Sequence, residues 1–154
     1  MKVRDQHAVP LRVVDWIDAA GRACPPLTLA NMGAGHKVLF CFQHACPACH
    51  QEGFPVLGHL IAELGQQRFG FAAIQTVFED FEINTCDKLA LNQARYDLSI
   101  PFGHDPAPTE EALPSMIEDY HTQGTPWFIL INPDGFIIHS HFRISLELVR
   151  EIAG

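Results

Sequence analysis

Val38-Leu39-Phe40-Cys41-Phe42, then Gln43-His44-Ala45, then Cys46-Pro47-Ala48-Cys49, and after these a segment with apolar residues at Phe54, Leu57, Leu60, Ile61 and Leu64: this stretch decides the fold. A continuous apolar run rich in aromatic and branched residues predicts a buried strand. The three- and four-residue spacing that follows predicts a helix over residues 46–66, bent at Gly53 or Pro55. Two thiols three positions apart therefore stand between a strand and the start of a helix. The short spacing lets the sulfurs meet. Unpaired backbone N–H groups and the helix dipole favour the thiolate, the attacking form, on the first of them. Cys46 is thus placed as a nucleophile, and Cys49, one turn in and more buried, as the thiol that resolves a mixed disulfide.

Working outward, residues 71–78 read as a second strand, apolar on both faces. Asn84-Thr85 predicts a cap for a helix over residues 86–96. Residues 99–102 read as a short strand ended by Gly103 and the Pro106/Pro108 turns, and residues 110–120 as a helix interrupted at Pro114. Residues 127–131 and 136–141 form two strands about the turn Asn132-Pro133-Asp134-Gly135. Leu146, Val149 and Ile152 give a closing amphipathic helix. Upstream, residues 13–17 and 27–29 read as short strands or an irregular lead-in, separated by Gly21 and Pro25-Pro26. The order β-α-β-α-β-α-β-β-α predicts an α/β fold. Its early crossovers imply parallel pairing and its late hairpin antiparallel pairing, so a mixed sheet flanked by helices is expected.

A chain of 154 residues suits one domain, spanning residues 1–154, with room for a sizeable core. Lys and Arg number 10 against 18 Asp and Glu, a formal net charge of −8, and no basic run stands out. Nucleic acid and anionic membrane surfaces are therefore not expected as partners. The longest apolar runs are far too short to span a bilayer. Met1-Lys2-Val3-Arg4-Asp5-Gln6-His7 lacks the apolar core of a secretory leader, which predicts a cytoplasmic protein; a trimmed leader would place it in the periplasm. The cysteines, Cys24, Cys41, Cys46, Cys49 and Cys86, are odd in number with one close pair, unlike a secreted disulfide framework.

Together, the strand over residues 38–42, the pair Cys46-Pro47-Ala48-Cys49, Gly124-Thr125-Pro126 before a strand, and the hairpin at residues 132–135 resemble the thioredoxin-like superfamily, in its TlpA/redoxin branch. Residues 27–29 and 36–38 resemble the short hairpin that precedes the first core strand in that branch. The resemblance runs from Val13 to the C-terminus. It implies a three-layer sandwich, a central mixed sheet between helices, with a short N-terminal β extension. It further implies a cis Thr125–Pro126 bond facing the cysteine pair, which leaves the Thr125 backbone free to pair with a substrate segment. Glu52 matches a glutamate that TlpA-like proteins carry to exchange protons with the resolving thiol, although its spacing to Pro55 is one residue longer than theirs. Thioredoxins place a buried Asp six residues before the first cysteine; Phe40 stands here. Ala45 stands where they usually have Trp.

The implied activity is thiol–disulfide exchange through a Cys46–Cys49 redox disulfide. Protein or small-molecule disulfides are the expected substrates, a thiol reductant or reductase the recycling partner, and neither cofactor nor metal is required. Two alternatives stand beside it. Peroxide reduction belongs to related redoxins, which carry Pro and Thr or Ser where this chain has Leu39 and Gln43. A copper- or zinc-binding module would use Cys46 and Cys49 with His44 or His50. A protonated His44 or His50 beside the motif would instead favour the Cys46 thiolate. His139 and His141 share one strand face and read as a solvated edge. Cys41 reads as a small buried hydrophobe, and Trp16, Tyr120 and Trp127 as packing residues.

Overall fold

In the computed structural model, which describes residues 6–154, one sheet organises the chain. Its strands are β1 (Asp15–Ile17), β2 (Ala23–Cys24), β3 (His36–Phe42), β4 (Phe69–Val77), β5 (Phe102–Pro106), β6 (Trp127–Ile131) and β7 (Ile137–His141). They lie in the order β2-β1-β5-β4-β3-β6-β7. β3 pairs in parallel with β4, and β4 with β5, while the β3–β6, β6–β7, β1–β5 and β1–β2 pairs are antiparallel. The helices are α1 (Phe54–Leu64), α2 (Lys88–Arg95), α3 (Ser115–Tyr120) and α4 (Leu146–Ala153). This is an α/β sandwich about a mixed sheet, and β1 with β2 forms the N-terminal extension.

Alternation along the strands divides the core. Val38, Phe40 and Phe42 of β3 join Phe71, Ala73, Phe128 and Leu130 under Leu57 and Leu60 of α1, Leu89 of α2 and Val149 of α4. Leu39 and Cys41 point the other way, with Ala72, Ile74, Ile129 and Ile131, beneath Met116 and Tyr120 of α3 and Val13 and Trp16 of the lead-in. Both faces are covered, which is why these strands read as unbroken apolar runs. Arg12 pins the lead-in to α3 through Asp119, at 2.7 and 2.9 Å.

Four element expectations change. Residues 27–29 form no strand: Thr28 and Asn31 exchange hydrogen bonds in a capping box that closes a 3₁₀ turn, Leu29–Met32. The strand expected at residues 99–102 begins at Phe102 and runs through Gly103 to Pro106. Gly103 does not stop it, because the glycine makes room for Trp16, whose ring atoms would lie 2.9 Å from a Cβ there. The helix expected over residues 110–120 is confined to Ser115–Tyr120, capped by Pro114. The buried Asp105 carboxylate starts it, accepting the Ser115 and Met116 N–H groups at 3.1 and 2.9 Å. The long helix expected from Cys46 opens instead with a π-helical turn, Cys49–Gly53, before α1. Of the residues read for a leader, 1–5 lie outside those described, as do the first five of the expected domain. Among the described residues no helix is long and apolar enough to cross a membrane.

Candidate active site

β3 ends at Phe42, and the chain turns at once. The Cys46 N–H donates to the Gln43 carbonyl at 3.1 Å, and the Cys49 N–H donates to the Cys46 carbonyl at 3.1 Å. The Cys49 N–H also lies 3.2 Å from Cys46 Sγ. Cys46 and Cys49 are joined in a disulfide with their Cα atoms 5.3 Å apart. Cys46 is half-buried, whereas Cys49 is wholly buried. Beneath them, Phe40 packs at 5.0 Å on Phe54 and 4.9 Å on Phe128, and Phe42 at 5.0 Å on Phe54. Such aromatic pairs contribute about 0.5–1.5 kcal/mol each beyond area burial. Apolar packing of this kind disfavours a negative charge on Cys49, while the partly open Cys46 sulfur meets an N–H donor.

The second wall comes from the loop before β6. The Thr125–Pro126 peptide is cis, and the Thr125 carbonyl oxygen lies 3.6 Å from Cys46 Sγ. Pro126 packs against Gly53, where a Cβ would come within 3.0 Å of Pro126 Cβ and 2.8 Å of Phe40 Cζ. A groove of about 450 Å³ leads away from this point, lined by Pro126, Gly53, Pro55, Phe142 and Arg143, with Glu52 at its side. Glu52 is exposed. Cys46, Cys49, Thr125 and Pro126 thus stand together, and Glu52 belongs to the adjoining surface.

Buried side chains hold the loop between β3 and Cys46. Gln75 of β4 accepts the His44 N–H at 2.9 Å and donates to the Thr85 carbonyl at 3.0 Å. Asn84 accepts the Ala45 N–H at 2.8 Å. His50 Nε2 lies 2.7 Å from the His44 carbonyl, which can only accept, so that nitrogen carries the proton. In the neutral ring Nδ1 then accepts from the Tyr96 hydroxyl at 2.5 Å. His44 Nδ1 faces the Asn92 amide at 3.1 Å. Burial, followed by His50 and Lys88, holds the His44 pKa below its ordinary value, so His44 is neutral at pH 7 and supplies no charge to Cys46. The sequence singles out none of Gln75, Asn92 and Tyr96, and it offers Asn84 only as a helix cap; α2 is instead N-capped at Asp87, and the Asn84 side chain holds the Ala45 N–H. Gln75, alone among the polar groups of an apolar strand before Thr76, was the available signal.

The remaining residues sit apart from the disulfide. Leu39 faces the opposite core layer. Cys41 is buried there, and burial pushes its thiol up to about 12. Trp16 and Tyr120 are core residues; Trp127 is buried, donating to Ser140 Oγ at 2.9 Å and meeting Phe142 edge-on. His139 and His141 hold the backbone of Arg143, at 2.7 Å to its carbonyl and 3.1 Å from its N–H. Among the described residues no group of three or more His, Cys, Asp or Glu could hold a metal ion.

No protein-family model matches this chain, and no curated protein matches it by sequence. Solved structures do. A thioredoxin-like superfamily protein is similar at TM-score 0.82 and 28% identity, over 96% of this chain and 93% of that one. A thiol-disulfide isomerase from Corynebacterium glutamicum is similar at TM-score 0.78 and 22% identity, over 96% and 94%. The thioredoxin domain of a thiol-disulfide oxidoreductase from Bacteroides vulgatus is similar at TM-score 0.67 and 16% identity, over 97% and 96%.

Proposed function

We propose that this chain, which has the thioredoxin-like fold, is a thiol–disulfide oxidoreductase working through Cys46 and Cys49. The observation that carries the reading is the contrast within the pair. One sulfur is half-open beside the Thr125 carbonyl, and the other is buried within bonding reach of it. The names of the similar isomerase and oxidoreductase structures agree with that chemistry.

In the reducing direction, the Cys46 thiolate attacks one sulfur of a substrate disulfide. A Cys46–substrate disulfide forms, and the other substrate sulfur leaves as a thiolate. Cys49 then gives up its proton and attacks Cys46 Sγ, closing the intramolecular disulfide and expelling the second substrate thiolate. Two electrons pass to the substrate, and its two thiolates take up protons. Glu52 is the nearest acid in sequence to Cys49 and is our candidate to relay that proton to solvent. An extended substrate segment would pair with the Thr125 backbone beside Pro126. A thiol reductant of the compartment, which we place in the cytoplasm, returns the pair to the dithiol.

The test is reduction of insulin by the wild type, Cys46→Ser and Cys49→Ser. Cys46→Ser is expected to be inactive, and Cys49→Ser to accumulate mixed disulfides through Cys46. Equal activity in the two variants would remove the assigned roles.

A further inference from the structure

Gln43 is 1% exposed and stands three residues before Cys46, at the point where the chain leaves β3. Its backbone carbonyl accepts the Cys46 N–H. Its side chain is saturated. Oε1 accepts from the Phe78 N–H at 3.1 Å, from Asn84 Nδ2 at 3.3 Å and from the Glu79 N–H at 3.4 Å. Nε2 donates to Thr125 Oγ1 at 3.3 Å and to Glu79 Oε1 at 3.4 Å. One buried amide therefore ties the turn before Cys46, the segment after β4 and the loop carrying Thr125. Asn84, held by the same amide, receives the Ala45 N–H.

We infer that Gln43 is a positioning residue for substrate, acting through Thr125; the inference rests on the oxidoreductase reading. The Thr125 carbonyl lies 3.6 Å from Cys46 Sγ, so whatever holds the Thr125 side chain sets where a substrate segment lies against that sulfur. Gln43 touches neither sulfur through its side chain. Its effect should fall on the binding of an extended substrate more than on the chemistry of exchange.

The experiment is steady-state reduction of a disulfide-bonded peptide. Gln43→Met preserves the length of the side chain and removes both the donor and the acceptor. Of the five side-chain hydrogen bonds it breaks, the one to Thr125 bears on substrate, and its loss should raise KM about tenfold, with kcat within about twofold of wild type. Thr125→Val removes the hydroxyl that Gln43 holds and should raise KM similarly. In the Thr125→Val background, Gln43→Met should add less than about twofold, since both changes break one linkage. The exchange Gln43→Glu with Glu79→Gln reverses donor and acceptor between the two side chains. It leaves an acceptor for Phe78 and Asn84, to which the Thr125 hydroxyl now donates, and should bring KM within about threefold of wild type.

An unchanged KM in Gln43→Met, or fully additive effects with Thr125→Val, overturns the inference. So does loss of kcat alone with no recovery in the exchanged pair. If Gln43→Met does not fold, Thr125→Val decides alone: a wild-type KM there overturns the inference. The underlying reading fails differently, through wild-type turnover that survives Cys46→Ser.

Discussion

Cys46 and Cys49 differ by three positions in the chain and by their access to solvent, and the same contrast runs through the other cysteines. Cys41 is fully buried in β3, and desolvation pushes its thiol up to about 12. Cys86 is exposed, but partial burial and the nearby carboxylates of Asp15 and Asp87 raise its pKa above the ordinary thiol value. Cys24, partly buried, is likewise raised, by burial and Asp18, so of the five only Cys46 joins partial exposure to an N–H donor against its sulfur. In reduced, folded protein at neutral pH, iodoacetamide should label Cys46 at least about tenfold faster than Cys86. Cys41 should be labelled only after unfolding. Peptide mass spectrometry over a time course checks this, and comparable rates at Cys46 and Cys86 would contradict it. The sequence made Cys46 visible through its spacing to Cys49. It did not reveal Gln43, Gln75 or Asn84 as supports, because a polar residue beside an apolar run looks the same whether its amide meets water or buried backbone.

At the scale of elements, the turn Cys49–Gly53 joins the disulfide to α1 and also seats Pro126. Its i→i+5 bond, from the Phe54 N–H to the Cys49 carbonyl, replaces the tighter α-helical ladder. Gly53 is what permits the close approach: a methyl group there would sit 2.8 Å from the Phe40 ring and 3.0 Å from Pro126. Gly53→Ala should therefore cost about 1–3 kcal/mol of stability through overpacking. It should also lower kcat/KM for a peptide disulfide, since relief requires Pro126 or the turn to move. Urea unfolding and peptide reduction measure both effects; wild-type values in both would show that the packing yields freely. The helix was legible from the spacing of Phe54, Leu57, Leu60 and Leu64, but its π-helical start was not. Gly53, at the end of that turn, packs against Phe40 and Pro126, and the contact with Pro126 spans 73 positions of the sequence. Gly103 teaches the same lesson in β5, where the covering Trp16 comes from 87 positions upstream.

For the whole molecule, the mixed sheet was legible because both of its faces are buried, so β3, β4 and β6 read as apolar runs. The placement of β1 beside β5 was not, since three residues at a sheet margin carry too little pattern. One consequence of closing the sheet on both faces is pH dependence. Burial is the largest cause holding His36, His44, His104 and His139 below the ordinary value of 6.5. His104 lies within the fold, its Nδ1 accepting from the Gln75 amide at 3.2 Å. The unfolded chain therefore binds more protons than the folded one once the pH falls below 6.5. Stability is complete above that value and is lost progressively as pH falls through the lower folded-state values. Asp105 acts in the opposite sense: burial raises its carboxyl, so protonation relieves the folded state, but this operates further toward acid. Between about pH 7.5 and about pH 5.5 the histidines should dominate, and Tm should fall by a few degrees. His104→Gln, which retains a polar group opposite Gln75 without a titrating proton, should flatten the slope. A Tm that holds steady or rises over that interval in the wild type would mean that these four imidazoles, one buried and three partly buried, are not the groups that titrate on unfolding.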